Sequence, residues 1–244
     1  MPASELSQAT LKKLAQYDTP TICNVVELFD VRPRTAGYLD SRVRACFPDL
    51  PPMVGYASTA TFRASTPPRK GDVYSSLSAQ IEAFASLPGP VVVVFQDLDV
   101  PSVAATFGEI MCTTYKAFGA VGLITSGAGR DLDQVRALPF PCFTTGTICA
   151  HGYCHIPQIH IPVTVGGVTI YPGDLIHGDR NGVTTIPLDI ASEVADACAE
   201  YVAAEAIVLE VLRQSSLTPQ AFAEARKASQ AKIEELASKL RRRV

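Results

Sequence analysis

Residues 108–131, GEIMCTTYKAFGAVGLITSGAGRD, decide how this chain is read. Gly108 opens an amphipathic helix that runs through Phe118 and is closed by Gly119. Ala120 to Thr125 then forms an apolar strand leading into Ser126-Gly127-Ala128-Gly129-Arg130-Asp131. Just upstream, Val91-Val92-Val93-Val94-Phe95 is a continuous, mostly β-branched run bounded by Pro90 and by Gln96-Asp97-Leu98-Asp99, the pattern of a central strand buried on both faces. A strand-helix-strand unit of this kind brings Gly108 and Arg130-Asp131 to the same end of a sheet, and the expected class is α/β.

The residue types at that end suit one chemistry. Unpaired backbone N–H groups at a helix start, with Gly108 allowing close approach, can hold a carboxylate, and Arg130 can grip the same anion in a forked geometry. Asp131 is a hard oxygen donor suited to Mg²⁺ or Mn²⁺. A divalent ion beside a bound 2-oxo acid polarises its carbonyl and stabilises the enolate left when a carbon–carbon bond breaks. Glu109 could orient the water that gives or takes the proton. A plainer reading stays open on spacing alone: a glycine helix start beside a surface Arg–Asp pair.

Leu11 to Leu28 reads as two short helices broken near Tyr17-Asp18-Thr19-Pro20, where Asp18 or Thr19 can cap the second and Pro20 sits in its first turn. Residues 31–53 form a loop or a peripheral strand pair, Val54 to Ala64 a strand, and Ser75 to Leu87 a helix stopped by Pro88-Gly89-Pro90. Pro141-Cys142-Phe143 and Ile161 to Val165 read as strands. Gly166-Gly167 makes a hairpin with Val168-Thr169-Ile170, and Asp179-Arg180-Asn181-Gly182 another turn. From Leu188 the character changes to two long helices, Asp189 to Gln214 and Thr218 to Arg243, the second capped by Thr218 with Pro219 at its first position.

The stretch around 108–131, with Met53-Val54-Gly55-Tyr56-Ala57 and Ile161 to Pro187 (IPVTVGGVTIYPGDLIHGDRNGVTTIP), resembles the family that holds the class II 4-hydroxy-4-methyl-2-oxoglutarate/4-carboxy-4-hydroxy-2-oxoadipate aldolases and the ribonuclease E regulator RraA. The likeness covers roughly residues 15–200. It implies a swivelling β/β/α sandwich with N-terminal helices and a long C-terminal helical extension: one RraA-like domain over 1–244, with 188–244 as the extension. It also implies trimers or hexamers with active sites between subunits. The implied roles are Gly108, Glu109, Ile110 and Met111 as the loop whose backbone holds the pyruvate moiety, and Arg130 as the group that holds and polarises substrate. Asp131 becomes the metal anchor and Glu109 the carboxylate that positions the acid/base water. A glutamate from a neighbouring subunit is implied as well, with Glu205 as candidate and Glu200 and Glu210 as rivals. Two departures stand out: Ser126-Gly127 replaces the usual Asp-Gly, and Gln134 replaces a common acidic residue, so two carboxylates near the implied metal are missing.

The expected activity is that of a divalent-metal-dependent lyase acting on a 2-oxo acid through a pyruvate enolate, by retro-aldol cleavage or by oxaloacetate decarboxylation. Two alternatives are a non-catalytic RraA-like regulator that binds a ribonuclease and a same-fold enzyme acting on a sugar acid. Composition is compatible with this. The chain has 244 residues, 47% hydrophobic and 18% charged, with 21 Lys+Arg against 24 Asp+Glu and a formal charge of −3, so no electrostatic footprint for nucleic acid is present. No apolar run approaches the roughly 18 residues of a membrane span, and the start MPASELSQAT has no signal-peptide core, which gives a cytoplasmic expectation with no membrane partner. The seven cysteines suit reduced thiols. Within Cys149-Ala150-His151-Gly152-Tyr153-Cys154-His155, with His160 nearby, zinc ligation competes with a pocket-lining or subunit-contact loop. Asp97 and Asp99 could serve chemistry or cap turns. His177 reads as a packed core group. The stripe Ala203, Ile207, Val211 and Leu212 suits packing on a neighbouring subunit.

Overall fold

The computed structural model describes residues 6–71 and 76–242. Two helices, α1 (Gln8–Leu14) and α2 (Thr19–Phe29), lead the chain. Asp18 accepts from the Thr21 N–H at 3.0 Å and Pro20 lies in the first turn of α2, so the break between the helices is a cap. There follow β1 (Arg44–Ala45), β2 (Met53–Phe62), α3 (Leu77–Ala83), β3 (Val91–Asp97), β4 (Ala105–Phe107) and α4 (Glu109–Ala117). Next come β5 (Ala120–Thr125), β6 (Ala128–Gly129), α5 (Leu132–Ala137), β7 (Cys142–Thr144) and β8 (Gly146–Thr147). The chain ends with β9 (Val163–Val165), β10 (Val168–Ile170), β11 (Leu175–Asp179), β12 (Gly182–Ile186), α6 (Ala191–Leu212) and α7 (Pro219–Arg241).

Seven strands form one mixed sheet in the order β1-β7-β5-β3-β2-β11-β12. β2, β3, β5 and β7 run parallel, and the strands outside them are antiparallel. The side-chain period of two sorts residues between the faces. Tyr56, Val91 and Leu175 lie on the face covered by helices, and Ala57, Val92 and Ile176 on the face covered by the β9–β10 hairpin. Both faces of β3 are therefore dry, which accounts for its unbroken valine run. Helices on one side and a second β layer on the other make this the β/β/α sandwich expected.

On the helical face, α1, α2, α6 and α7 cluster around Tyr56, Leu175, Val194, Cys198 and Leu236. α3, α4 and α5 cover the far end around Phe62, Phe95, Tyr115 and Leu123. His177 is wholly buried, with Thr19 Oγ1 at 3.0 Å from Nδ1 and the Leu14 carbonyl at 3.2 Å from Nε2. It is the packed core histidine the sequence suggests.

Several boundaries differ from expectation. β2 ends at Phe62 rather than Ala64, because Arg63 turns to pair with His155. α3 stops at Ala83 and tightens into a 3₁₀ turn over Phe84–Ser86. Of residues 31–53 only the two-residue edge strand β1 and the first residue of β2 are strand. The expected helix start at Ser75 and helix end at Arg243 lie outside the described residues. A third, parallel sheet, β4-β6-β8, was not expected at all. Its strands of two or three residues are too short to carry a periodicity.

Candidate functional site

Helix α4 starts where β4 ends, and α5 starts where β6 ends, so the two helix N-termini are neighbours. Gly108, the residue before α4, has extended backbone that any residue could adopt; what it supplies is room. A Cβ there would stand 2.6 Å from Asp131 Oδ2 and 3.2 Å from both Cγ and Nε of Arg130. The Arg130 N–H donates to the Phe107 carbonyl at 3.1 Å, which locks the two strand ends together.

Asp131 is the unusual residue. It precedes α5 in the left-handed region, at φ 54° and ψ 40°, a conformation costing a non-glycine residue about 1–2 kcal/mol. An aspartate in this place ordinarily caps its own helix, but Asp131 makes no such side-chain bond. Its Oδ2 instead accepts from the Glu109 N–H at 3.1 Å, at the start of the other helix, and lies 3.6 Å from Arg130 Nε. Both contacts use one oxygen. Oδ1 remains available, on a side chain 37% exposed.

A cleft of about 360 Å³ opens at this point, walled by Arg130, Asp131 and Leu132 on one side and by Thr147, Ile148 and Cys149 on the other. Of Gly108, Glu109, Ile110, Met111, Arg130 and Asp131, the last two line it. Gly108 and the Glu109 backbone support Asp131 from behind, and the Glu109 side chain is exposed beside it. Residues 109–111 form the first turn of α4 rather than a loop. Their side chains diverge, with Ile110 77% exposed and Met111 3% exposed inside the core, so Met111 can offer a ligand only its backbone N–H. Thr147 and Ile148 escaped sequence reading because β8 is so short, whereas Cys149 carried a signal in the Cys/His-rich stretch.

That stretch does not converge on a point. Cys154 is buried and its thiol donates to the His151 and Ala105 carbonyls. The His155 Nδ1–H donates to the Tyr153 carbonyl at 2.7 Å, and His160 Nε2 lies 3.1 Å from Ser58 Oγ. Among the described residues no group of three or more His, Cys, Asp or Glu could hold a metal ion. The residues present nevertheless fit a divalent cation of the Mg²⁺ type, which is commonly held by one or two carboxylates with water and substrate supplying the rest. Asp131 is such a carboxylate, with an oxygen free.

Asp97 and Asp99 are satisfied in place. Asp99 accepts from the Ala64 N–H at 2.7 Å, the Ser65 N–H at 2.9 Å and the Ser65 hydroxyl at 2.5 Å. Burial pushes its carboxyl upward, but these bonds and Arg63 outweigh that and leave it below the usual value. Asp97 accepts from the Asp99 N–H at 3.0 Å and from Ser102 Oγ at 2.7 Å, and burial raises it. Ser126 Oγ accepts from the Asp97 N–H at 2.9 Å, and Gln134 is exposed on α5. The three candidate glutamates of α6 stand outside the cleft of their own chain: Glu200 pairs with Lys239 at 3.2 Å, Glu205 neighbours Tyr201, and Glu210 is exposed.

Comparison with known proteins gives the family to which this architecture and helix-start cleft belong. The chain belongs to the RraA-like family (Aldolase/RraA), whose model matches residues 19–185. A protein of Halalkalibacterium halodurans named "Putative 4-hydroxy-4-methyl-2-oxoglutarate aldolase" is 41% identical over 118 residues, 48% of this chain and 54% of its own length. The chain thus spans about half the length of that relative. An uncharacterized protein from Pseudomonas syringae pv. tomato superposes with a TM-score of 0.72 at 21% identity, covering 93% of this chain and 97% of that one. Streptomyces coelicolor RraAS2, described as an unusual member of the RNase ES inhibitor RraA protein family, superposes with a TM-score of 0.67 at 23% identity, over 84% and 98% of the two chains. These two likenesses concern the fold. Among the described residues, no helix is long and apolar enough to cross a membrane.

Proposed function

We propose that the chain is a divalent-metal-dependent lyase that cleaves a 2-oxo acid with a pyruvate core, by retro-aldol cleavage of a 4-hydroxy-4-methyl-2-oxoglutarate-like substrate, by decarboxylation of oxaloacetate, or both. The observation that carries this is the diverted Asp131, which gives up capping its own helix to meet the start of α4 beside Arg130. Family membership and the named relative support an aldolase chemistry.

In this reading the substrate carboxylate and 2-oxo group lie against the Arg130 guanidinium, whose fork suits a planar anion, with the N–H groups of Ile110 and Met111 at the unpaired first turn of α4. Asp131 holds the cation, Mg²⁺ or Mn²⁺, which when bound polarises the substrate carbonyl. Retro-aldol cleavage removes the proton of the substrate's 4-hydroxyl, breaks the C3–C4 bond and returns a proton to C3, which becomes the pyruvate methyl. Glu109, exposed beside the cleft, orders the water that carries these protons. The apolar exposed Ile110 and the open side of the cleft are covered by a neighbouring copy in a trimer or hexamer, which brings a glutamate of α6, Glu205 foremost.

The test is a coupled pyruvate-release assay with oxaloacetate and 4-hydroxy-4-methyl-2-oxoglutarate, with Mg²⁺ or Mn²⁺ and with a chelator. Pyruvate from either substrate, abolished by the chelator, is the expected result. No pyruvate from folded protein would contradict the reading.

A further inference from the structure

A second cleft, of about 450 Å³, lies away from Arg130 and carries positive charge that the chemistry above does not use. Arg63, Arg69, Lys70 and His155 line it, and none of its described lining residues is acidic. In a chain with a formal charge of −3 this is a local reversal of sign.

The backbone forces two of these groups together. The Arg63 N–H donates to the His155 carbonyl at 3.1 Å and the His155 N–H to the Arg63 carbonyl at 3.0 Å, a closed antiparallel pair. Such a pair sets its side chains on the same face, so the Arg63 guanidinium and the His155 ring meet the cleft together. Asp99 lies behind Arg63, 3.8 Å from its Nε, too far for a hydrogen bond. Arg63 Nε is consequently a buried donor with no acceptor, an uncommon condition, on a side chain that is still 43% exposed at the cleft. The His155 Nδ1–H donates to the Tyr153 carbonyl, which fixes the ring at the cleft wall.

Apolar residues back this charge. Pro67-Pro68 immediately precede Arg69-Lys70, and Pro157 follows His155 and Ile156, which restricts the backbone beside these residues. Leu98 and Ile156 add apolar surface to the cleft. A cationic rim of Arg63, Arg69 and Lys70 over apolar walls suits a dianion joined to a small carbon skeleton better than a bare ion.

We propose that this cleft is an anion-binding site separate from the Arg130–Asp131 cleft, and that it takes a small organic phosphate monoester. The probe is phenyl phosphate, titrated calorimetrically into the full chain at about 0.15 M ionic strength, where exposed charges are screened beyond about 8 Å. Inorganic phosphate and phenol serve as the two half-ligands. The expected result is saturable binding at one site per chain, weakened at least tenfold by the paired exposed substitutions Arg69→Gln and Lys70→Gln and unchanged by Arg130→Ala. Phenyl phosphate should also bind several-fold more tightly than either half-ligand. Three outcomes would overturn the proposal: no saturable heat, binding equally strong in the Arg69/Lys70 variant, or binding lost in Arg130→Ala, which would place the anion in the first cleft. Equal affinity for inorganic phosphate would overturn the assignment to an organic ester.

Discussion

Asp131 and the pair Asp97–Asp99 all stand at or just beyond the carboxyl ends of strands, on the edge where open α/β sheets bind ligands, yet they have opposite fates. Asp99 is saturated by two N–H groups and a hydroxyl, and Asp97 by an N–H and a hydroxyl, inside a turn that needs them. Asp131 holds one N–H through one oxygen, sits in a left-handed conformation and keeps its other oxygen free beside an arginine. A carboxylate at a strand end is therefore no site by position; what it has left to bind decides. The aspartates that hold the turn should show up in stability, and Asp131 in ligand binding and rate.

The largest expected break in that symmetry is Arg130→Ala. Removing the guanidinium from the anion pocket should lower pyruvate release by on the order of 10²–10³-fold while circular dichroism and the melting temperature stay near wild type. Full activity in this variant would dissociate the cleft from the chemistry. Gly108→Ala comes next. Its Cβ would meet Asp131 Oδ2 at 2.6 Å, so the pair must shift, and steady-state kinetics should show roughly a tenfold or greater fall in kcat.

Asp99→Asn turns the comparison round. The turn loses a charged acceptor for three donors, and urea unfolding should register a loss of about 1–3 kcal/mol with little change in cation binding. Acid titration sharpens the point. The folded-state pKa of Asp99 lies below its ordinary 3.8, so the stability it contributes is present above that value and is lost as pH falls through the folded pKa. Melting temperature should therefore fall more steeply below pH 3.8 in wild type than in Asp99→Asn. The smallest effect belongs to Ile110→Ser. At 77% exposure it should cost under about 0.5 kcal/mol in an isolated chain, so a larger loss, accompanied by a lower mass in light scattering, would show that another copy covers the first turn of α4.

How much of this was legible in the sequence follows from how each element signals itself. The valine run of β3, the Asp18 cap, the Gly166-Gly167 hairpin and the Thr218-Pro219 helix start are local, and local signals survive in one chain's sequence. The pairing of Gly108 with Arg130-Asp131 was also readable, since a strand-helix-strand unit has one hand and one active edge. The β4-β6-β8 sheet was not, because strands of two and three residues carry no period, and with it went Thr147 and Ile148, two residues of the cleft wall. Met111 shows the same limit differently: a site motif names four consecutive residues, but helical geometry turns the fourth into the core. The diversion of the Asp131 side chain from α5 to α4 depends on a backbone angle that no residue type announces.

The most direct test of the central claim is Mn²⁺ binding followed by electron paramagnetic resonance, in the presence of pyruvate, for wild type, Asp131→Asn and Asp99→Asn. One bound Mn²⁺ per chain is expected in wild type and in Asp99→Asn, and its loss in Asp131→Asn with the fold intact. Mn²⁺ retained by Asp131→Asn, or lost from a folded Asp99→Asn, would contradict it.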